Sequence, residues 1–195
     1  MAEVNIKGIK LIIGLGNPGK EYEKTYHNIG FLIMDFMIKN VLSASNTLKF
    51  QSPNLKNFSY FKNNSLIFAK PLTFMNNSGI AIKEILKYFS IKPEETLIIH
   101  DDSDIKLGNF KISINRGSAG HKGIESIIKN LNTKSFHRLR IGIGKNNSIT
   151  KTKKVDAGLS SGTKRVKAEE IVLKKINKKD MEIIKKSIKT INIKN

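Results

Sequence analysis

The segment Lys10-Leu-Ile-Ile-Gly-Leu-Gly-Asn-Pro-Gly19 is a short apolar run that ends in closely spaced glycines. Such a run, bounded by glycine, reads as a buried strand over 10–14. A polar stretch follows, and then residues 30–42 carry Phe31, Met34, Ile38 and Val41/Leu42 at helical spacing. The strand-then-helix pair is repeated downstream. LIFAK at 66–70 is a strand stopped by Pro71, and Ser78 is placed to cap a helix over 79–89 striped by Ile82, Ile85, Leu86 and Phe89. TLIIH at 96–100 is a third strand, and Phe110, Ile112 and Ile114 alternate with polar residues as in a half-exposed fourth. A glycine-bearing loop over 115–120 leads into a helix over 121–131. HRLRIGIG at 137–144 is a last core strand, with Arg138 and Arg140 on one face. The succession predicts an α/β fold: a three-layer α/β/α sandwich around a mixed, mostly parallel twisted sheet. In such sheets the functional residues gather beyond the carboxyl ends of the strands. The polar clusters at 17–27, 73–78 and 101–104 each follow a strand, so they are expected to meet at one edge.

The chain has 195 residues, which suits a single domain over 1–195 with a real core. No apolar run approaches the roughly 18–20 residues of a membrane helix, and MAEVNIKGIK lacks the apolar centre of a signal peptide. Cysteine is absent, which removes thiolate chemistry and disulfides and fits a cytoplasmic location. Thirty-five basic residues face 16 acidic ones, a formal charge of +19. A field of that sign concentrates polyanions, nucleic acid above all. A shift in residue usage is the competing explanation, because Lys, Asn and Ile abound while Arg is scarce. Residues 145–195 hold 15 of the basic and 5 of the acidic side chains. Within them, 145–170 reads as a mobile basic loop and 177–191 as a C-terminal helix, either a solvated face or an RNA contact.

Several motifs carry chemistry. Gly14, Gly16 and Gly19 match a dinucleotide fingerprint, with Asp35 at the expected distance. That fold needs its helix to start inside the motif, whereas here the apolar stripe begins only near Ile29. The glycines read better as a tight turn presenting Asn17 to a cleft. His27 lies in a polar, glycine-punctuated segment beside that turn and is the candidate general base. Asp101, Asp102 and Asp104 end a strand together. They suit either a Mg²⁺ site or a pattern in which Asp101 orients a histidine while the others start a turn; the orienting role is favoured. Asn76 and Asn77 are helix caps or amides that hold a carbonyl, and Phe74 is able to stack on a base. The loop from Arg116 to Gly123 suits a phosphate or carboxylate at a helix N-terminus.

Five ordered blocks carry a more specific signal: Gly14 through Phe31, Thr73-Phe-Met-Asn-Asn-Ser-Gly79, His100-Asp-Asp-Ser-Asp104, Gly120-His-Lys-Gly123 and Phe136-His-Arg-Leu-Arg-Ile-Gly-Ile-Gly144. In order and spacing the chain resembles the bacterial peptidyl-tRNA hydrolases, monomeric enzymes that cleave the ester between a peptide and its tRNA. The resemblance implies that His27 is catalytic, that Asp101 keeps it basic, and that Asn17 and Asn76 contact the ester and peptide. It implies that Tyr22 and Phe74 line a groove for the peptide and the tRNA 3′ end, and that Arg140 grips phosphate. The chain departs from the family pattern in three places. Tyr26 stands where Arg often precedes His-Asn, and Lys122 replaces an amide that contacts substrate. Ser113 occupies a basic position near the phosphate clamp, for which Lys111 is the substitute. The stretch 151–170 fits the family poorly. No cofactor and no metal are expected. The competing reading is an RNA-binding protein on the same fold that lacks the chemistry.

Overall fold

The computed structural model describes residues 3–5, 7–41, 50–54, 56–144, 171–189 and 192–194. The basic loop expected over 145–170 lies outside them, as does Leu42. In chain order the elements are β1 (Glu3–Asn5), β2 (Leu11–Gly14), α1 (Ile29–Val41), β3 (Phe58–Asn63), β4 (Leu66–Pro71), α2 (Ser78–Phe89), β5 (Thr96–Lys106), β6 (Phe110–Ser113), α3 (Lys122–Leu131), β7 (His137–Gly144), α4 (Lys178–Ile188) and β8 (Asn192–Lys194). β1 and β8 form a small parallel pair. The six-stranded sheet runs β3-β4-β2-β5-β7-β6. Its four central strands are parallel, and β3 and β6 lie antiparallel at the two edges.

Layering follows from side-chain alternation. Ile12, Leu97, Ile99, Leu139 and Ile141 pack with Met34 and Ile38 of α1 and with Ile184 and Ile188 of α4. Leu11, Ile13, Ile67 and Ile98 face the other way, onto Ile82 and Ile85 of α2 and Ile124 and Ile127 of α3. All of β2 is buried, as a strand covered on both faces must be. The result is the expected three-layer α/β/α sandwich.

The structure differs from the sequence reading at several elements, the small pair β1 and β8 among them. β3 was not anticipated; it forms a hairpin with β4 through a turn in which Asn64 adopts φ 51°. β4 includes Pro71, which pairs with Phe58 at the ladder's end, where a missing N–H is tolerated. β5 continues to Lys106, so the three aspartates lie on the strand and not in a turn after it. Ser78 is not a cap but the first residue of α2, and its hydroxyl donates to the Met75 carbonyl at 2.8 Å.

The glycine motif serves packing. A Cβ on Gly30 would stand 2.4 Å from the Ile99 oxygen and the Leu15 nitrogen, and one on Gly14 would stand 2.5 Å from the Gly30 oxygen. These glycines let the start of α1 press against the tips of β2 and β5. α1 begins ten residues after Gly19, so the motif does not present a helix N-terminus to a dinucleotide.

Candidate active site

The loop after β2 and the loop after β4 are tied together by amides. Asn17 donates its backbone N–H to Asn28 Oδ1 at 2.9 Å, and Asn28 Nδ2 returns a bond to the Asn17 carbonyl at 2.9 Å. Met75 N–H donates to Asn17 Oδ1 at 2.7 Å. The Asn17 oxygen is therefore engaged, and its Nδ2 is the part left to meet a ligand. Asn76, next to Met75 in the turn before α2, is exposed. His27 lies in the one-turn 3₁₀ helix Tyr26–Asn28 that precedes α1.

Two imidazoles converge on one carboxylate. His27 Nδ1 lies 2.8 Å from Asp101 Oδ1, and His121 Nε2 lies 3.0 Å from the same oxygen. Asp101 is buried, as are most of the two rings. Burial pushes the Asp101 carboxyl up, but its electrostatic interaction and hydrogen bond with His121, and then those with His27, outweigh it and hold the group well below the usual carboxylate range. An ionised carboxylate only accepts, so both nitrogens facing it carry protons.

Hydrogen bonding then assigns the tautomers. His121 is the N-cap of α3, and its Nδ1 accepts from Ile124 N–H at 3.3 Å. With Nδ1 accepting and Nε2 donating, neither nitrogen of His121 is available to take a proton. His27 differs. Its Nδ1–H is held by Asp101, and among the described residues nothing bonds Nε2. Nε2 is thus the free lone pair of the pair of rings, and its ring centroid lies 4.9 Å from that of His121.

His100 lies beneath them. It is fully buried, with Nδ1 placed to donate to the Asp101 carbonyl at 2.6 Å, and its ring meets that of His121 edge-on at 4.7 Å. Its Nε2 has no partner among the described residues. Burial, reinforced by the neighbouring His121, holds this imidazole well below the usual histidine range, so it stays neutral.

The three aspartates do not converge as a Mg²⁺ site would require. Side chains alternate along β5: Asp101 reaches the histidines, whereas Asp102 meets Arg140 through Nε and Nη2, both at 2.7 Å. Asp102 also accepts from Asp104 N–H at 2.9 Å, and Asp104 is exposed. Arg140 lines a cleft of about 520 Å³ with Lys111, Ile112, Ser113, Arg116, Gly117, Ala119 and Arg138. Arg138 is buried and donates to the Gly117 carbonyl at 3.0 Å. Desolvation, with repulsion from Arg140, lowers its guanidinium below the usual arginine value.

Tyr22 and Phe74 meet edge-to-face with centroids 6.2 Å apart, and Phe74 is half exposed beside an exposed Leu72. Lys122 is exposed and lies 3.7 Å from Glu125. The sequence does not single out His121 or Asn28, and it does not foresee the bonds of Asp102 to Arg140 or of Arg138 to Gly117. The Gly-His-Lys-Gly block at the head of a helix was the available signal for His121. Among the described residues, His27, Asp101 and His121 are also the set whose ligand atoms, within 4.8 Å of one another, come closest to a metal site. Their contacts of 2.8 and 3.0 Å are tighter than the roughly 3.3 Å between ligands of a tetrahedral zinc. They are distances for shared protons.

Comparison with known proteins shows the family. The sequence model of the peptidyl-tRNA hydrolase family matches residues 11–194. A peptidyl-tRNA hydrolase of Mycoplasma capricolum is 47% identical over 137 residues, covering 70% of this chain and 73% of that protein. One from Aquifex aeolicus is 43% identical over 142 residues, covering 70% of each. The crystal structure of peptidyl-tRNA hydrolase from Acinetobacter baumannii superposes with a TM-score of 0.72 at 28% identity, over 93% of this chain and 84% of that one. The chain belongs to the peptidyl-tRNA hydrolase family, and so to the ester hydrolases.

Proposed function

We propose that the chain hydrolyses the ester joining a peptide, or an N-blocked aminoacyl group, to tRNA, releasing free tRNA for reuse in translation, with His27 as general base. The observation that carries this is Nε2 of His27, the one unengaged nitrogen of the two described rings that meet Asp101, on a ring whose other nitrogen is held by an ionised Asp101. Nε2 takes a proton from water as that water attacks the ester carbonyl, and Asp101 stabilises the imidazolium that forms. His121 donates to Asp101 and keeps it aimed and ionised. The Nδ2 groups of Asn17 and Asn76 stabilise the oxyanion of the tetrahedral intermediate. The imidazolium then returns its proton to the departing ribose oxygen. Among the described residues no serine hydroxyl bonds His27, so water is the nucleophile and no acyl-enzyme forms.

Tyr22 and Phe74 supply an apolar groove for the peptide and the terminal base, while Lys111, Lys122 and Arg140 supply phosphate contacts. On this reading the chain acts in the cytoplasm as a monomer with no cofactor and no metal. The test is release of N-acetyl amino acid from N-acetyl-aminoacyl-tRNA. His27→Ala is expected to lower turnover by about 10²–10⁴-fold while tRNA binding stays intact. Binding without release by the unaltered chain would return the protein to the class of RNA-binding modules.

A further inference from the structure

His27 is flanked by two buried residues, each fixed from a different part of the chain. Asn28, after it, is bound to Asn17 as described. Tyr26, before it, is buried and donates its hydroxyl to Asp180 Oδ2 across 154 residues of sequence. Asp180 is itself buried in the first turn of α4. The same carboxylate oxygen accepts from Asn177 Nδ2 at 3.0 Å, and Asn177 caps α4 by accepting from Asp180 N–H at 2.8 Å. A short backbone ladder runs alongside. Ile176 N–H donates to the Lys24 carbonyl at 2.7 Å, Tyr26 N–H donates to the Lys174 carbonyl at 3.1 Å, and Thr25 bridges Lys175 antiparallel. The residues just before the histidine are thus bonded to those just before α4.

We infer that Tyr26 is a positioning residue for hydrolysis: its buried bond to Asp180 fixes the turn carrying His27 against α4, so that the docked helix sets the aim of the imidazole. The inference rests on His27 being the general base. A base must meet its water within a few tenths of an ångström, and misplacement by about 1 Å costs on the order of 10²-fold in rate. The 3₁₀ turn is only three residues long, so restraint on its first residue passes directly to its second. The Tyr26 hydroxyl is not needed to keep α4 in place, because Ile176, Ile184 and Ile188 of that region are buried in the core independently of it. Positioning and docking are therefore separable.

Single-turnover hydrolysis of N-acetyl-aminoacyl-tRNA at saturating enzyme, well below the melting temperature, tests this. Tyr26→Phe is expected to slow the chemical step by about 10- to 100-fold with KM changed by less than about twofold. Asp180→Asn, whose amide oxygen still accepts from the hydroxyl, is expected to lose less than Asp180→Ala. The double variant Tyr26→Phe/Asp180→Ala is expected to be no slower than the worse single one, since Asp180→Ala already removes the bond to the Tyr26 hydroxyl. The His27 imidazole ¹⁵N resonances are expected to shift in Tyr26→Phe. A folded Tyr26→Phe enzyme with an unchanged single-turnover rate and unchanged His27 resonances overturns the proposal. Should that variant fail to fold, equal rates for Asp180→Asn and Asp180→Ala overturn it instead. His27→Ala, run alongside, separates the two ideas: if it retains turnover, the general-base reading fails, whatever Tyr26 does.

Discussion

Replacing Asp101 with Asn alters one atom's charge at the point where two histidines meet. Oδ1 of Asp101 receives both Nδ1–H of His27 at 2.8 Å and Nε2–H of His121 at 3.0 Å. Asparagine has nearly the same volume, so the packing is retained. With two donors converging, the amide oxygen takes the place of Oδ1 and both bonds survive without the charge. The imidazolium of the proposed mechanism then meets a neutral acceptor. That exchange costs about 1–2 kcal/mol, roughly a 5- to 30-fold fall in kcat. If the amide nitrogen takes that place instead, His27 must accept at Nδ1 and carry its proton on Nε2. The base is then lost, and the fall reaches about 10²–10⁴-fold. The expected result is a kcat loss of at least about fivefold with KM little changed, because the interaction acts on the charge that develops in the transition state. The assay is single-turnover release of N-acetyl amino acid, with tRNA binding measured in parallel. An Asp101→Asn enzyme that keeps more than about half its kcat would refute the tautomer argument.

Three further outcomes follow from the same geometry. Buried His100 is held neutral in the folded state, whereas an unfolded histidine protonates near pH 6.5; unfolding therefore takes up a proton below that pH, and the folded state loses about 1.4 kcal/mol per pH unit as acidity rises. His100→Leu is expected to flatten the stability profile measured by denaturant titration between about pH 6.5 and 5, and an unchanged slope would disprove it. Gly79→Ala places a Cβ 2.1 Å from the Ser126 carbonyl oxygen where α2 crosses α3, so a loss of about 1–3 kcal/mol is expected in thermal or denaturant unfolding. Affinity for tRNA is expected to fall as salt rises, with Lys111→Ala reducing the slope of log K against log salt by about one; a flat profile contradicts phosphate contact at the basic cleft.

The βα repeats were legible because each apolar run was bounded by glycine, proline or an amphipathic stripe, and these features act locally. β3 escaped notice because Phe58-Ser-Tyr-Phe-Lys-Asn63 mixes aromatic and polar residues as an edge strand does, and its pairing depends on the hairpin turn at Asn64. The sequence reading ends β5 six residues early, at 100 and not at Lys106, because its polar half looks like a loop; it stays extended by pairing through Asp102 with β7. The convergence of Asn17, His27 and Asp101 could be anticipated from the rule that strand ends gather in parallel sheets. The part of His121 could not. Its chemistry depends on capping α3 and on a bond to a carboxylate 20 residues away, and neither contact is local. The competition between Mg²⁺ and an orienting role for the aspartates needed to know that β5 was still a strand at Asp101 and Asp102, because only then do adjacent carboxylates point apart.

The pairing of Arg140 with Asp102 alters how the basic cleft must work. A guanidinium whose Nε and Nη2 already hold a carboxylate is not an empty seat for phosphate. An incoming phosphate meets only the outer edge of the fork, or else dislodges the aspartate that the fork restrains. Entry at this point is an exchange of anions, with little net release of charge. On the proposed function, Lys111 and Arg116, which have no partner among the described residues, would be the cations that draw the polyanion in, and Arg140 would fix where it comes to rest.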